Sequence, residues 1–387
     1  MVNYVFLSVY FYSVPNLRFR EFNEQLVYTS FGHVMKLYRG SSPRPIINYV
    51  TTDKSGLNWI KIGDMPSTGN RVFFCKERIN KEGSKKSRAV YKGDIILSNS
   101  MSFGKPYILE IDGFIHDGWF VIRDYQNYID KTYLCQLLSS DAVQKQYKST
   151  AAGGVVKNIS SDLVNSVKFH LPSIMEQRKI ARFLELIDQK IEVQIKIIDD
   201  YNSLKMGIYN CMFKENYADY KLKQLAYIVK GDQINNDQLL SNGSYYMMNG
   251  GASPSGYLDS YNVSENTISI SEGGNSCGYV QFNSSPFWSG GHCYTIQNVN
   301  SALIENKYLY HYLKYKEKEI MNLRIGTGLP NIQKKDLENF TILVPSLLIQ
   351  RKNLALFEML DEKISILNEE LANLQKQKKY LLCNMFI

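Results

Sequence analysis

His292 and Cys293 stand side by side in the stretch GGHC at Gly290, so a base and a thiol meet there in sequence. A catalytic Cys–His pair also needs a third group to orient the base and surroundings that favour the thiolate. No orienting acid is implied, and GGHC reads as a turn leading into a strand. The other histidines, at 33, 116, 170 and 311, are isolated; His170 and His311 read as packing or surface residues. The six cysteines are scattered, with no C-x-x-C and no metal-ligand spacing. That pattern suits a reducing compartment and implies no metal site. The motifs G-x-x-x-x-G-K-[ST], H-E-x-x-H and G-x-S-x-G are missing. So are the Asn/Asp-Pro-Pro-aromatic motif of an amino-methyltransferase and a Pro-Asp stretch followed by E-x-K that would suggest a nuclease. No catalytic residues are expected on this chain.

What remains is the chemistry of contact. Arg39 precedes GSSPRP and Arg44 lies within it, Lys61 lies just after Trp59, and Lys85, Lys86 and Arg88 are the basic residues of KKSR, all in polar, loop-like stretches. Such residues neutralise phosphates, and arginine reads guanine edges with two hydrogen bonds. In the second half the candidate readers are polar: Asn249, Ser271, Asn275 and Tyr279, with Arg324, Lys334 and Lys335 for phosphates. Side-chain amides suit adenine. The glycine-rich stretch SEGGNSCG (271–278) reads as a loop between β segments and GTGLPN (326–331) as a tight loop just before the helix-like IQKKDLENF, an anion-binding turn being the second reading of GTGLPN.

Charge favours a polyanionic partner in one half only. Residues 1–170 hold 22 Lys and Arg against 14 Asp and Glu, the whole of the chain's +8 excess. The apolar opening MVNYVFLSVYFYS has no basic start and no cleavage site, and it is too short to span a bilayer. It reads as a strand or as an atypical, poorly ordered leader at 1–13, and not as a signal peptide. No membrane association is expected, and a cytoplasmic location is.

The elements that must position these residues come in duplicate. Residues 171–213 and 344–386 match without gaps at 12 of 43 positions, 173 residues apart. The repeat extends upstream, with small shifts in spacing between the blocks. GDIILSNSMSFGK at Gly93 faces NTISISEGGNSCGY at Asn266, bringing Gly104 over Gly278, and KLYRG faces YIVKG. The expected domains are 1–170, 171–213, 214–343 and 344–387: a β-rich domain and a long helix, twice. Ser173 with Glu176 reads as a capping box opening the first helix. Each helix carries a 4,3,4,3 apolar seam. Ile180, Leu184, Ile187, Ile191 and Ile198 mark the first; Leu360, Ile364, Leu367, Leu371 and Leu374 mark the second, and Lys205 and Lys378 interrupt both at the same step. Matched seams predict mutual pairing; parallel pairing would set the two domains side by side in collision, and the direct link from Lys214 to about Gln224 permits the antiparallel arrangement. The expected fold class is α+β: two β-rich α/β domains separated by two long antiparallel helices in a coiled-coil spacer, with a pseudo-two-fold tandem repeat.

P-x-x-x-x-Q-R-K leading into a heptad helix that ends in Met-Phe, twice, each time after a G…N-I turn and a strand, resembles the specificity subunit of type I restriction-modification systems. VPNLRFREF and WIKIGDM at Trp59 are similar to that family's first recognition domain. The resemblance implies a subunit that recognises a bipartite, gapped target in double-stranded DNA. It implies two methyltransferase subunits docked on the helices and restriction/translocase subunits joining them. S-adenosylmethionine, Mg and ATP belong to those partners, and no cofactor belongs to this chain. The competing reading is a cytosolic coiled-coil scaffold with β-rich binding domains.

Overall fold

The structure, a computed structural model, describes residues 14–66, 68–99, 104–151, 159–213, 217–326, 328 and 330–387. The leader at 1–13 lies outside them. The chain divides into two compact units, Met1–Lys196 with Glu369–Ile387, and Ile197–Asn368. Both are mixed helix and sheet, and each contains one sheet-rich domain with a part of both long helices.

The central sheet of the first unit runs, in neighbour order, Lys36–Arg39, Trp119–Arg123, Ile95–Ser98, Pro106–Leu109 and Arg71–Val72. The second unit repeats its first four strands as Tyr227–Lys230, Cys293–Gln297, Thr267–Ser271 and Val280–Asn283. The register agrees residue by residue. Arg39 pairs with Phe120 and Ser98 with Trp119; Lys230 pairs with Tyr294 and Ser271 with Cys293. The backbone bonds at the sheet end agree as well. Gly40 N donates to Trp119 O at 2.8 Å and Gly231 N to Cys293 O at 2.9 Å; Ile159 N donates to Asn99 O at 2.8 Å and Ile332 N to Glu272 O at 2.9 Å. Gly104 and Gly278, matched by the repeat, both have positive φ, +67° and +89°, where L side chains are strained. A Cβ at Gly104 would strike the Tyr147 ring, and one at Gly278 would strike the backbone of Met321.

The units differ in what covers this frame. In the first, a second five-stranded sheet, Val50–Thr51, Glu77–Ile79, Leu57–Ile60, Gly113–Ile115 and Arg88–Val90, encloses a core around Trp119, Tyr107 and Ile96. In the second, a three-stranded sheet, Gly256–Leu258, Tyr245–Met248 and Trp288–Ser289, packs around Phe287.

A short antiparallel pair closes each domain just before its long helix: Val27–Ser30 with Lys168–Leu171, and Ala218–Lys221 with Thr341–Val344. The helices follow at Ile174–Met212 and Leu347–Asn384. The repeated glutamine of P-x-x-x-x-Q explains itself here. Gln177 Oε1 accepts from Asp130 N (2.9 Å), and its Nε2 donates to Tyr128 O (3.1 Å) and Pro172 O (2.9 Å). Gln350 does the same with Glu305 N, Leu303 O and Pro345 O, each at 2.8 Å. One buried amide thus ties the helix start to the loop that opens the domain's own helix, Lys131–Ser139 or Asn306–Tyr315.

Glu176 does not serve in a capping box. Its carboxylate turns to Arg18, accepting from Nε at 2.8 Å and Nη2 at 2.7 Å. A buried, two-bond ion pair is the stronger use of a carboxylate than an exposed cap, and it anchors the VPNLRFREF segment to the helix.

All ten seam residues are buried or half-buried: Ile180, Leu184, Ile187, Ile191, Ile198, Leu360, Ile364, Leu367, Leu371 and Leu374. Within each unit the helices run antiparallel. In the first, Asp188 meets Lys378 while Gln194 meets Glu370. In the second, Lys205 meets Asp361 while Tyr209 packs edge-on against Phe357 at 4.8 Å.

Candidate nucleic-acid interface

Antiparallel register brings three chain segments to one end of each central sheet. In the first unit they are the segment after Arg39, the loop after Ser98 and the turn at 116–118. In the second they are the segment after Lys230, the loop after Ser271 and the turn at 290–292. Loops at a shared sheet end, held by a rigid frame, are where binding residues collect.

Asp117 organises the first of these ends. Its carboxylate accepts from Ser42 Oγ at 2.8 Å and pairs with Arg44 Nη2 at 3.3 Å; its backbone oxygen accepts from Asn99 Nδ2 at 2.9 Å and Arg39 Nε at 3.3 Å. The Ser42 hydroxyl, more than any other neighbour, holds the Asp117 carboxyl below its ordinary range. A cleft of about 880 Å³ opens beside it, floored by Pro43, Ile46, Val50 and Trp59 and rimmed by Arg44, Lys61, His116 and Glu77. Arg44 projects with its side chain 81% exposed. His116 Nδ1 accepts from Gly118 N–H at 2.9 Å, so the neutral ring carries its proton on Nε2. Burial lowers the His116 pKa and favours that neutral form.

The sequence-based candidates of this half largely converge. Lys61 sits on the cleft rim, paired with Glu77. Arg88 Nε donates to Arg39 O at 3.1 Å and its guanidinium lies over the Tyr38 ring. Lys86 donates to Tyr49 Oη at 2.6 Å, and its backbone oxygen accepts from Ser41 Oγ at 3.0 Å. Lys85 stands apart in a local pair with Glu82 at 2.7 Å.

Glu272 is the acid of the second end, at the position of Asn99. It accepts from Lys230 Nζ at 2.5 Å and Tyr294 Oη at 3.1 Å, and it faces His292 Nδ1 at 3.3 Å. A carboxylate only accepts here, so His292 carries a proton on Nδ1. Asn249 Oδ1 accepts from His292 N at 2.9 Å and so orients this turn. Asn275 is exposed on the 272–278 loop, and Gly274 N donates to Pro330 O at 3.1 Å, tying that loop to the hairpin that follows the exposed Arg324. Lys334 and Lys335 are exposed at the start of the next short helix, and Tyr279 lies under the Lys314 ammonium at 4.1 Å.

Ser271 is not a reader. It is 4% exposed, and its hydroxyl donates to Gly250 O at 2.9 Å, so it braces the loop from inside. The expectation failed because a serine at a strand end serves a turn as readily as a ligand. Asp117, His116, Lys230 and Glu272 were missed altogether. The alignment of KLYRG with YIVKG placed Arg39 over Lys230, and that was the available signal.

Cys293 begins a strand, as the sequence suggested. It is buried, and desolvation pushes its thiol up to about 11, so His292 and Cys293 form no nucleophile. Among the described residues no three His, Cys, Asp or Glu side chains are grouped to hold a metal ion, and no helix is long and apolar enough to cross a membrane.

These features define a class: a tandemly duplicated α+β chain, each copy a sheet-rich domain closed by a long seam helix. The chain belongs to the type I restriction modification DNA specificity domain family, whose pattern matches residues 32–199 and again 214–376. A Mycoplasma pneumoniae protein named for type I specificity is 34% identical over 155 residues, a match spanning 40% of this chain and 41% of that protein. The Methanocaldococcus jannaschii protein named for the MjaX specificity subunit is 24% identical over 94% of this chain and 91% of its own. The crystal structure of the type I restriction-modification S subunit from M. genitalium shares the fold at TM-score 0.63 and 18% identity, covering 97% of this chain and 99% of that one.

Proposed function

We propose that this chain is the non-catalytic, sequence-reading subunit of a type I restriction-modification complex. Each half binds one part of a gapped double-stranded DNA target. The helices carry two methyltransferase subunits, and restriction/translocase subunits join that core. S-adenosylmethionine, Mg and ATP act on those partners, in the cytoplasm.

One observation carries the reading. Met175, Leu186 and Val193 on the first helix are matched by Leu348, Met359 and Ile366 on the second, at the same offset of 173 residues. All six are 45 to 67% exposed. Steps of 11 and 7 residues return to nearly the same helical face, roughly 130° around the helix from the seam. An exposed apolar stripe on a helix marks a partner site. The same stripe repeated at the same three positions suits two copies of one partner, which favours a duplicated complex over a general scaffold.

The test is to purify the chain with its methyltransferase subunits and select from a library of gapped duplexes. The expected outcome is one gapped sequence bound with a steep salt dependence, because phosphate contacts release counterions. Equal affinity for every sequence at low salt would sink the proposal. Serine at Met175, Leu186 and Val193 should remove one methyltransferase copy, read by native mass spectrometry.

A further inference from the structure

We infer that the matching end of the central sheet reads bases in both halves: Arg44 and His116 read guanine in one half-site, and Lys230 with His292 reads adenine in the other. Asp117 and Glu272 are positioning residues that hold these groups in place. The inference rests on the DNA-recognition reading above and assigns its residues.

The argument starts from place. The two sheet ends share strand register and the bonds Gly40–Trp119 and Gly231–Cys293, yet the residues set on them differ. Arg39 stands where Lys230 does, Asn99 where Glu272 does, and Gly118 where His292 does. A common frame with different polar groups is what two readers of different sequences need. In both, one carboxylate gathers a cation and neighbours a histidine, so the head groups are held before DNA arrives. Such pre-ordering lowers the entropy cost of binding.

Hydrogen-bond polarity then selects the base. In the first half every exposed polar group facing the cleft from Arg44 and His116 is a donor, since His116 Nδ1 is taken by Gly118 N–H. Guanine offers two acceptors, N7 and O6, in the major groove. The side chains of Pro43, Ile46 and Trp59 add no acceptor to the floor, and the carboxylates on the lining are already engaged, Glu77 by Lys61 and Asp117 by Ser42 and Arg44. In the second half, Glu272 accepts from Nδ1–H of His292, and in the neutral tautomer this contact selects, Nε2 is an acceptor beside the Lys230 donor. Adenine presents the complement, an N6 donor next to the N7 acceptor. The +8 excess of the first 170 residues supplies the attraction that brings DNA to the first cleft.

The experiment uses the full chain with its methyltransferase subunits and a duplex library with two randomised tracts at fixed separations. Arg44→Ala and His116→Ala should each weaken a guanine preference about 10-fold in one tract and leave the other tract unchanged. Lys230→Ala and His292→Ala should weaken an adenine preference in the other tract alone. Asp117→Asn and Glu272→Gln should blunt the same preferences without changing the salt slope. Lys85→Ala with Lys86→Ala should instead weaken binding to all sequences and reduce that slope. The conservative variants Arg44→Lys and His116→Gln, which keep the fold, should also lose guanine preference. If the Arg44, His116, Lys230 and His292 variants only weaken binding uniformly, with both tracts intact, the inference is overturned while the gapped target stands. If the unaltered complex enriches no gapped sequence, the functional reading falls and takes this assignment with it.

Discussion

Lys205 Nζ pairs with the carboxylate of Asp361, and at the repeat-related positions Lys378 Nζ pairs with Asp188. Each pair joins the lysine of one repeat to the aspartate of the other. An ammonium set in an apolar seam is costly without a counter-ion. A slip of one heptad would leave both lysines unpaired, so the pairs fix the antiparallel register.

Asp361→Ala should destabilise the protein by about 1–3 kcal/mol, since the pair is only partly buried, and Asp188→Ala should do likewise. The charge-swapped double variant Lys205→Asp with Asp361→Lys should recover part of that loss. Urea unfolding in a double-mutant cycle reads the coupling, expected at about 0.5–3 kcal/mol. Strictly additive single changes would show that the two charges ignore each other.

Gln177→Ala and Gln350→Ala each remove three hydrogen bonds and strand buried backbone groups. Each should cost about 1–3 kcal/mol. Amide exchange should rise at the N-terminal turns of the altered helix and of the shorter helix tied to it, and the turns of the other repeat should keep their protection.

His311 is buried against Tyr209 Oη at 2.8 Å, near Asp361, and burial with Lys205 and Lys307 nearby lowers its pKa from 6.5 to about 3. Between those values the unfolded chain binds a proton that the folded chain does not. Stability should therefore fall as the pH drops below about 6.5. Gln136 fills the corresponding place in the first unit, where it donates to Asp188 at 2.9 Å. His311→Gln should remove this dependence. From about pH 7.5 to pH 5 the unaltered chain should lose about 2 kcal/mol more than the variant, read from urea midpoints. Parallel losses would mean that His311 does not titrate this way.

Arg18→Ala leaves the Glu176 carboxylate buried without its partner. The expected cost is about 3–5 kcal/mol. Arg18→Ala with Glu176→Leu should be milder than Arg18→Ala alone, and thermal unfolding of both variants tests it.

The seam and the duplication were legible because period and offset survive substitution. Leu184 in the first helix stands over Phe357 in the second, and the face stays apolar whichever of the two fills it. The counter-ions of Lys205 and Lys378 were not legible, because they lie 156 and 190 positions away and only pairing identifies them. Glu176 misled because an acid three residues after Ser173 serves a cap and a distant arginine equally well. Asp117 and Glu272 were invisible for a related reason. A loop acid has no periodicity, and its meaning comes from the strand end it stands on. Ser271 was misplaced by the same ambiguity.

The crossed lysine–aspartate pairs have a consequence for a shortened gene. A product carrying one domain and one helix would hold a single lysine in its seam and a single aspartate to answer it, in positions that cannot meet within one copy. Two such products would satisfy each other reciprocally, with both charges matched. A half-length chain therefore has the pairing code of a self-complementary dimer, and the full chain encodes both partners in one reading frame.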